Sequence, residues 1–463
     1  MIQPTRIQPL NRKPENAAGR HVLYWMGLSQ RAHDNPALEH AVAEANRLNL
    51  PVLVCYGIAE GFPEVNARHW NFLLEGMAEI GPALRERGIG FVARRAPPVE
   101  TALRYAAEAA LVVCDRNDLR PVRHFQADFA DKAPCHVLRV EGDLVVPLET
   151  ASPKHEFAAR TLRPKLHRLW DEYLVPLPAA EVKHQTREPH PDSDLGLEDV
   201  PKLVRSLKAD QSIGPVRRFR GGMAAAEARL RDYLAHRFRG YGKARGRPEA
   251  GAASHFSPYL HFGQISPVTI ALAVRASPQG DEEDRDAFLE ELIVRRELAA
   301  NHIFYQPDYD RYEAAVPDWA RKTLDAHRTD ERPYLYTPEQ LEMGETHDRY
   351  WNAAMGEMRD TGYMHNHMRM YWGKKIVEWS RSPEEAWDTA LRLNNRYFLD
   401  GRDANSFTNV AWLFGLHDRP WGTRPVYGTV RSLGAATLRK FDADGYVRDV
   451  ERLAAAEKGQ APG

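Results

Sequence analysis

The chain has 463 residues, 43% of them hydrophobic and 27% charged, which suits two or three domains with cores of their own and excludes a disordered or fibrous protein. Lys and Arg number 63 against 64 Asp and Glu, so the net charge of −1 supplies no global field for nucleic acid, and any DNA binding must come from a local basic patch. No apolar run approaches the roughly 18 residues of a membrane span. The polar start MIQPTRIQPLNRKPENAAGR is unlike a secretory leader, so residues 1–20 read as a loose arm on a cytoplasmic protein.

From His21 short apolar strands alternate with helical segments. HVLYWM is a strand, and NPALEHAVAEANRLN is a helix capped by Asp34 or Asn35. PVLVCYG, GIGFVARR, LVVCDR and CHVLRVEGD are further strands, spaced by helices near 67–87, 98–109 and 121–131. The alternation predicts a parallel sheet covered on both faces, a Rossmann-like α/β domain over 21–147. No GxGxxG follows its first strand, so no dinucleotide is assigned to it. Cys55, Cys114 and Cys135 are widely spaced, and two sit in apolar runs. They read as buried strand residues of a reducing compartment, not as a disulfide set or a metal site.

Residues 148–220 read as a connector, with Pro153, Pro164, Pro176 and Pro178 and the acidic stretch HPDSDLGLEDVP. Inside it Arg160, Arg163 and Lys165 form either a phosphate-facing set or a solvated helix face. From Gly221 onward the apolar spacing is helical in MAAAEARLRDYLAHRF, PVTIALAVRA, DRDAFLEELIVRRELAANHIFY, PEEAWDTALRLNNRYF and GYVRDVERLAAAEK. The fold class expected is therefore α/β followed by all-α, with the helical domain over 221–463.

Met364–Trp379 carries no Pro and reads as a helix. Trp372 and Trp379, seven apart, share one face of it, and Arg369 lies near that face. Residues i and i+2 point apart on a helix, so His365 and His367 cannot chelate one ion, and no metal is assigned. Gly240-Tyr-Gly242-Lys-Ala-Arg-Gly246 imitates a dinucleotide loop, but its last spacing is one too long and it follows a basic helix instead of a strand. FLEELIVRRELAANH places Glu291, Arg295 and Arg296 on one helix, where a carboxylate four residues before an Arg is usually a surface pair. Asp400 sits in FLDGRDANSF, a turn-like sequence able to bring a carboxylate back to a helix. Asn394 and Asn395 are open to a helix C-cap reading.

Six segments taken together point further. LYWMGLSQRAHDNPAL, SPKHEFAARTLRPKLHRLW, YGKARGRPEAGAASHFSPYLHFGQIS, MHNHMRMYWGKKIVEW, LNNRYFLDGRDANSF and VAWLFGLHDRPWGTRPVYGTVRSLGAATLRKFD stand in order over nearly the whole chain. They resemble the photolyase/cryptochrome family and, more narrowly, the class II cyclobutane pyrimidine dimer photolyases. The resemblance implies a helical FAD-binding domain and an N-terminal domain able to hold a second, deazaflavin-type antenna chromophore. It implies that Tyr241 and Arg245 hold the pyrophosphate side of FAD, with Ser254, Phe256 and Ser257 adding donors before a helix near Pro258. Phe256 stands where the family usually has Leu. It also implies that Arg369 and Asp400 lie against the isoalloxazine ring, with Asn394 beside the ring nitrogen that gains and loses a proton.

The same resemblance implies that Glu291, Met370 and Trp412 face a flipped-out dimer, with Arg295 where some relatives have Trp. Arg419, Arg424, Arg431, Arg439 and Lys440, interleaved with Trp421, Tyr427 and Phe441, would meet phosphates and unpaired bases, Arg419, Arg439 and Lys440 foremost. Trp372, Trp351 and then Trp379 towards solvent would form the electron-transfer chain that activates the flavin. The implied activity is a light-driven lyase acting on dimer-containing DNA, as a monomer, with no net redox change. The alternative is a cryptochrome-like photoreceptor, against which stand the complete dimer-facing set and the short tail AAAEKGQAPG. Repair of the (6-4) photoproduct would want a histidine pair such as His255 and His261 in the pocket.

Overall fold

The computed structural model describes residues 2–186 and 192–459. His190 and Pro191 of the acidic stretch, and the last four residues of the tail, lie outside the described residues.

The N-terminal half is built on six strands: β1 (Ile7–Pro9), β2 (His21–Trp25), β3 (Val52–Gly57), β4 (Gly90–Arg94), β5 (Ala109–Asp115) and β6 (His136–Val140). Their order in the sheet is β1-β6-β5-β2-β3-β4, and all neighbours run parallel except β1 and β6. Four helices connect them: α1 (Pro36–Leu48), α2 (Ala67–Glu86), α3 (Pro98–Ala106) and α4 (Arg120–Lys132). Period-two alternation sorts each strand between two cores. On β2, Val22 and Tyr24 enter one and Leu23 and Trp25 the other. Both faces are covered, and all three cysteines are buried and free. Asn35, not Asp34, caps α1: its Oδ1 accepts from the Ala37 and Leu38 amides at 3.1 Å each, and Pro36 opens the helix.

The arm over 1–20 is not loose. Ile7–Pro9 pairs antiparallel with β6, Ile7 opposite Val140. The buried Arg6 guanidinium donates to the carbonyls of Glu141, Leu144 and Val145 at 3.1, 3.0 and 2.7 Å. Three residues, the last of them a proline, carry no periodic signal, and pairing across about 130 positions leaves none in the local sequence. Residues 148–220 likewise carry helices at Leu148–Ala151, Ala159–Tyr173 and Val200–Ser206. Leu162 and Leu166 enter a core shared with the helical half, and Leu203 and Val204 enter one face of the sheet.

The C-terminal half is helical. The helix Glu282–Leu289 passes into a π-helical turn, Glu290–Arg295, and resumes as Arg296–Tyr305. Helices Arg349–Thr361, Asn366–Trp379, Pro383–Tyr397 and Ala404–Leu413 pack around a core that holds Trp351, Trp372 and Trp379. Glu297 joins the halves. It is buried, and its Oε1 accepts from the Val145 and Val146 amides, just beyond β6, at 2.7 and 3.1 Å.

Candidate functional site

The N-terminus of the Asn366–Trp379 helix gathers the site. His365 caps it, its Nδ1 accepting the His367 amide at 3.2 Å. One turn on, Arg369 forks onto Asp400, Nη2 lying 3.1 and 3.0 Å from the two carboxylate oxygens. The guanidinium lies 3.7 Å over the Phe398 ring, and its Nε donates to the Met364 carbonyl. The FLDGRDANSF turn does bring the carboxylate back: a Cβ on Gly401 would meet the Asn394 and Asn395 carbonyls at 2.9 Å, so glycine permits the tight return. Neither Asn394 nor Asn395 caps the helix, whose C-cap is Phe398. Asn394 is buried and gives Nδ2 to Asn395, while its Oδ1 takes no hydrogen bond among the described residues.

The Gly240–Gly246 loop folds as a short turn of helix, Tyr241–Ala244. The Gly240 and Gly242 amides both donate to the Asp284 carboxylate at 2.8 Å, so the protein's own anion occupies the glycine loop. Tyr241 is buried against Phe288, and Arg245 reaches Glu291 at 2.5 Å. Burial pushes the Tyr241 hydroxyl up to about 12, so it stays a donor at neutral pH. On the following loop, the Ser254 and Ser257 hydroxyls are half-buried and make no hydrogen bond within the described residues. Phe256 turns into the core against Tyr233 and leaves only its backbone to the loop. The helix expected near Pro258 runs only from Ser257 to His261, too short to serve as an anion site on its dipole.

All three tryptophans are buried. The Trp351 indole donates to the Trp372 carbonyl at 2.9 Å, and its ring meets Trp379 edge to face at 5.6 Å. Trp379 does not itself reach solvent: Tyr336 and the exposed His347 pack on it at 5.5 and 5.2 Å, and the Tyr336 hydroxyl bonds His347 Nδ1 at 2.7 Å. The Trp372 indole N–H is buried with no acceptor. An orphan of that kind costs about 1–3 kcal/mol, which suits a polar group arriving from outside the chain. With the free hydroxyls, the forked pair and Asn394, it fits a flavin dinucleotide.

Glu291 lies on the π-turn, a local widening common at functional sites. The i,i+4 pairing with Arg295 does not form; Arg295 bonds Glu290 instead, as does Arg163 through both nitrogens at 2.8 and 2.7 Å. Lys165 is likewise taken by Glu156, so of the three cations in that segment only Arg160 lacks a carboxylate partner among the described residues. Trp412 is half-buried, with Lys374 Nζ 5.0 Å and the Arg431 guanidinium 5.8 Å from its ring. Arg431 also stacks at 4.1 Å on the exposed Trp421, which Arg419 flanks at 5.4 Å. Arg439 and Lys440 are exposed on the turn Ala435–Lys440, next to a half-buried Phe441. Tyr427 is not available for stacking: it is buried and donates to the Lys374 carbonyl at 2.5 Å. His255 and His261 do not pair. His255 packs on Tyr363, while His261 lines a separate cavity.

That cavity, of about 340 Å³, lies beyond the carboxyl ends of β2, β3 and β5, where open α/β sheets take ligands. Trp25, Tyr56 and Cys114 line the sheet side, and His261, Phe262 and Arg402 close it from the helical side. Sequence reasoning missed Arg402. Its Nη1 bonds His69 and the Asn395 carbonyl, so one side chain ties this cavity to the turn that carries Asp400.

A family model described as DNA photolyase matches residues 22–183. A deoxyribodipyrimidine photo-lyase from Methanothermobacter thermautotrophicus is 42% identical over 98% of this chain and 99% of its own length. One from Arabidopsis thaliana is 37% identical over 99% and 95%. Among solved structures, a bacterial class III photolyase from Agrobacterium tumefaciens superposes with a TM-score of 0.68 at 20% identity, covering 96% of this chain and 93% of that one. An archaeal photolyase from Sulfolobus tokodaii, described with two FAD molecules, does so at 0.69 and 15%, covering 96% and 95%. These two likenesses concern the fold. No helix among the described residues is long and apolar enough to cross a membrane.

Proposed function

The chain belongs to the DNA photolyase family and is a photo-lyase, and from that premise we propose that it is a class II enzyme that splits cyclobutane pyrimidine dimers in DNA with light. The observation that carries this reading is the forked Arg369–Asp400 pair at the head of the tryptophan helix. FAD, when bound, supplies the excited electron that enters the dimer and later returns.

The protein's own part is to bind, orient and exclude water. Tyr241, Arg245, Ser254, Ser257 and the Phe256 backbone hold the pyrophosphate side. Arg369 and Asp400 fix the ring, and Asn394 presents an amide that serves either protonation state of the ring nitrogen. Glu291, Met370 and Trp412 receive the extruded dimer. A dimer is weakly paired in its duplex, so flipping it out costs little. Arg419, Arg431, Arg439 and Lys440 with Trp421 hold the surrounding strand. Trp372, Trp351 and Trp379 carry electrons inward to activate the flavin. Residues 221–463 act as the catalytic domain and residues 21–147 as the antenna domain, with a deazaflavin or second flavin in the cavity beyond the sheet. The protein works as a cytoplasmic monomer.

A cryptochrome-like receptor would keep the flavin and tryptophans without repair. Purified enzyme, chemically reduced, is offered oligonucleotides with one cyclobutane dimer or one (6-4) photoproduct under blue light. The reading expects the dimer alone to revert, and only in the light. Loss of neither lesion would favour the receptor, and loss of the (6-4) product would overturn the substrate assignment.

A further inference from the structure

Lys374 sits in the helix Asn366–Trp379 with its side chain wholly buried. Lysine is almost never fully buried unless its charge is paired. Here the hydrogen bond recorded from Nζ runs to a neutral acceptor, the Leu413 carbonyl at 2.6 Å. The ammonium lies 5.0 Å from the centre of the Trp412 ring. The helix is shaped for that approach. A Cβ on Gly373 would meet the Leu413 side chain at 2.4 Å, so glycine lets the two segments close. Met370, one turn earlier, shares the face that carries Lys374.

The charged and titratable neighbours do not cancel the ammonium. Asp418 is engaged by Arg431 at 3.1 Å and by the Trp421 indole N–H at 3.1 Å. On the same helix Lys375 and Glu378 pair with each other at 2.7 Å. Tyr427 donates to the Lys374 carbonyl. Burial pulls the ammonium down to about 7, with Asp418 raising it and Arg431 lowering it.

We propose that Lys374 is an electrostatic positioning residue for dimer splitting, its buried ammonium beside Trp412 favouring the electron-bearing dimer over the resting one. The proposal rests on the repair reading above, in which Trp412 stacks on the dimer. One electron enters the dimer and places a negative charge on the pyrimidine carbonyls. The two carbon–carbon bonds joining the bases break, the electron leaves again, and two intact pyrimidines remain. Lys374 exchanges neither proton nor electron. The resting dimer is neutral and gains little from the cation, whereas the charged state gains directly, which is the differential stabilisation that speeds a step.

The test is single-turnover splitting of bound dimer DNA by chemically reduced enzyme at saturating enzyme, between pH 6 and 9, in the wild type, Lys374→Met and Lys374→Arg. Dissociation constants for the same DNA are measured alongside. The proposal expects the dimers split per absorbed photon to fall several-fold in Lys374→Met, with the dissociation constant moving less than two-fold, and to be restored in Lys374→Arg. The wild-type yield should decline as pH rises through about 7, and that of Lys374→Met should stay flat. A Lys374→Met yield equal to wild type at pH 6, or a loss confined to binding, overturns it. Should Lys374→Met fail to fold, a wild-type yield flat across the pH range, or a Lys374→Arg yield that falls with pH as the wild type's does, overturns it as well. Wild-type enzyme that splits no dimer at any pH fails the repair reading itself, and this proposal with it.

Discussion

Arg369 and Asp400 stand 31 positions apart, and each would be a costly buried charge without the other. Removing one partner of such a pair typically costs about 3–5 kcal/mol. Asp400→Ala should therefore lose bound FAD on purification, read from the flavin absorbance per chain; full occupancy with an unchanged flavin spectrum would remove the pair from the site. Glu291 and Trp412 are the residues proposed to meet the dimer, although Glu291 also pairs with Arg245. Their Ala variants should keep flavin and lose repair, with stacking on Trp412 worth about 1–3 kcal/mol. Wild-type repair by both variants would dissolve the proposed dimer pocket. At this scale the sequence was partly legible. The charge types and the turn around Gly401 were visible, and family resemblance supplied the roles. Partners were not visible: Arg163 and Lys165 carry charges that Glu290 and Glu156 take up, and Tyr427 is spent on a carbonyl. The partner of Arg163 lies 127 positions away, which no local pattern records.

At the scale of elements, the tryptophan helix is the informative one. Seven-residue spacing placed Trp372 and Trp379 on one face, but only packing shows Trp351 bridging them through a hydrogen bond and an edge-to-face contact. Phe keeps most of the buried ring area, so single Phe variants should fold with a loss of about 1–2 kcal/mol. Each should slow photoreduction of the oxidised flavin, while repair by chemically reduced enzyme stays near wild type. Photoreduction at the wild-type rate in all three would leave them as packing residues. Helical spacing also missed the π-turn at Glu290–Arg295, because one extra residue in a turn barely disturbs an apolar pattern. It is this turn that leaves Glu291 to Arg245 and hands Arg295 to Glu290.

For the whole molecule, alternating strands and helices made the sheet legible, and the helical half followed from its period. The antiparallel strand β1, and the joint between halves, did not show, since both are long-range pairings. The joint has a pH signature. Burial pushes the Glu297 carboxyl up to about 8, so the folded chain holds a proton there that the unfolded chain has released. Its contribution to stability is complete below the ordinary carboxylate range and is lost as pH rises through about 8. Melting temperature should therefore fall between about pH 5 and 8 more steeply in the wild type than in Glu297→Gln. Equal slopes would mean that Glu297 is already ionised in the fold.

The proposed reaction is redox-neutral splitting of a dimer by light in this scaffold. The most direct measurement follows, in one sample of reduced enzyme with excess dimer DNA and no added reductant, the dimers reverted and the flavin absorbance over many light flashes. Redox-neutral splitting requires dimers to disappear in many-fold excess over enzyme while the flavin band ends where it began. Reversion that stops after about one dimer per flavin, with the band moved to the oxidised form, would contradict it.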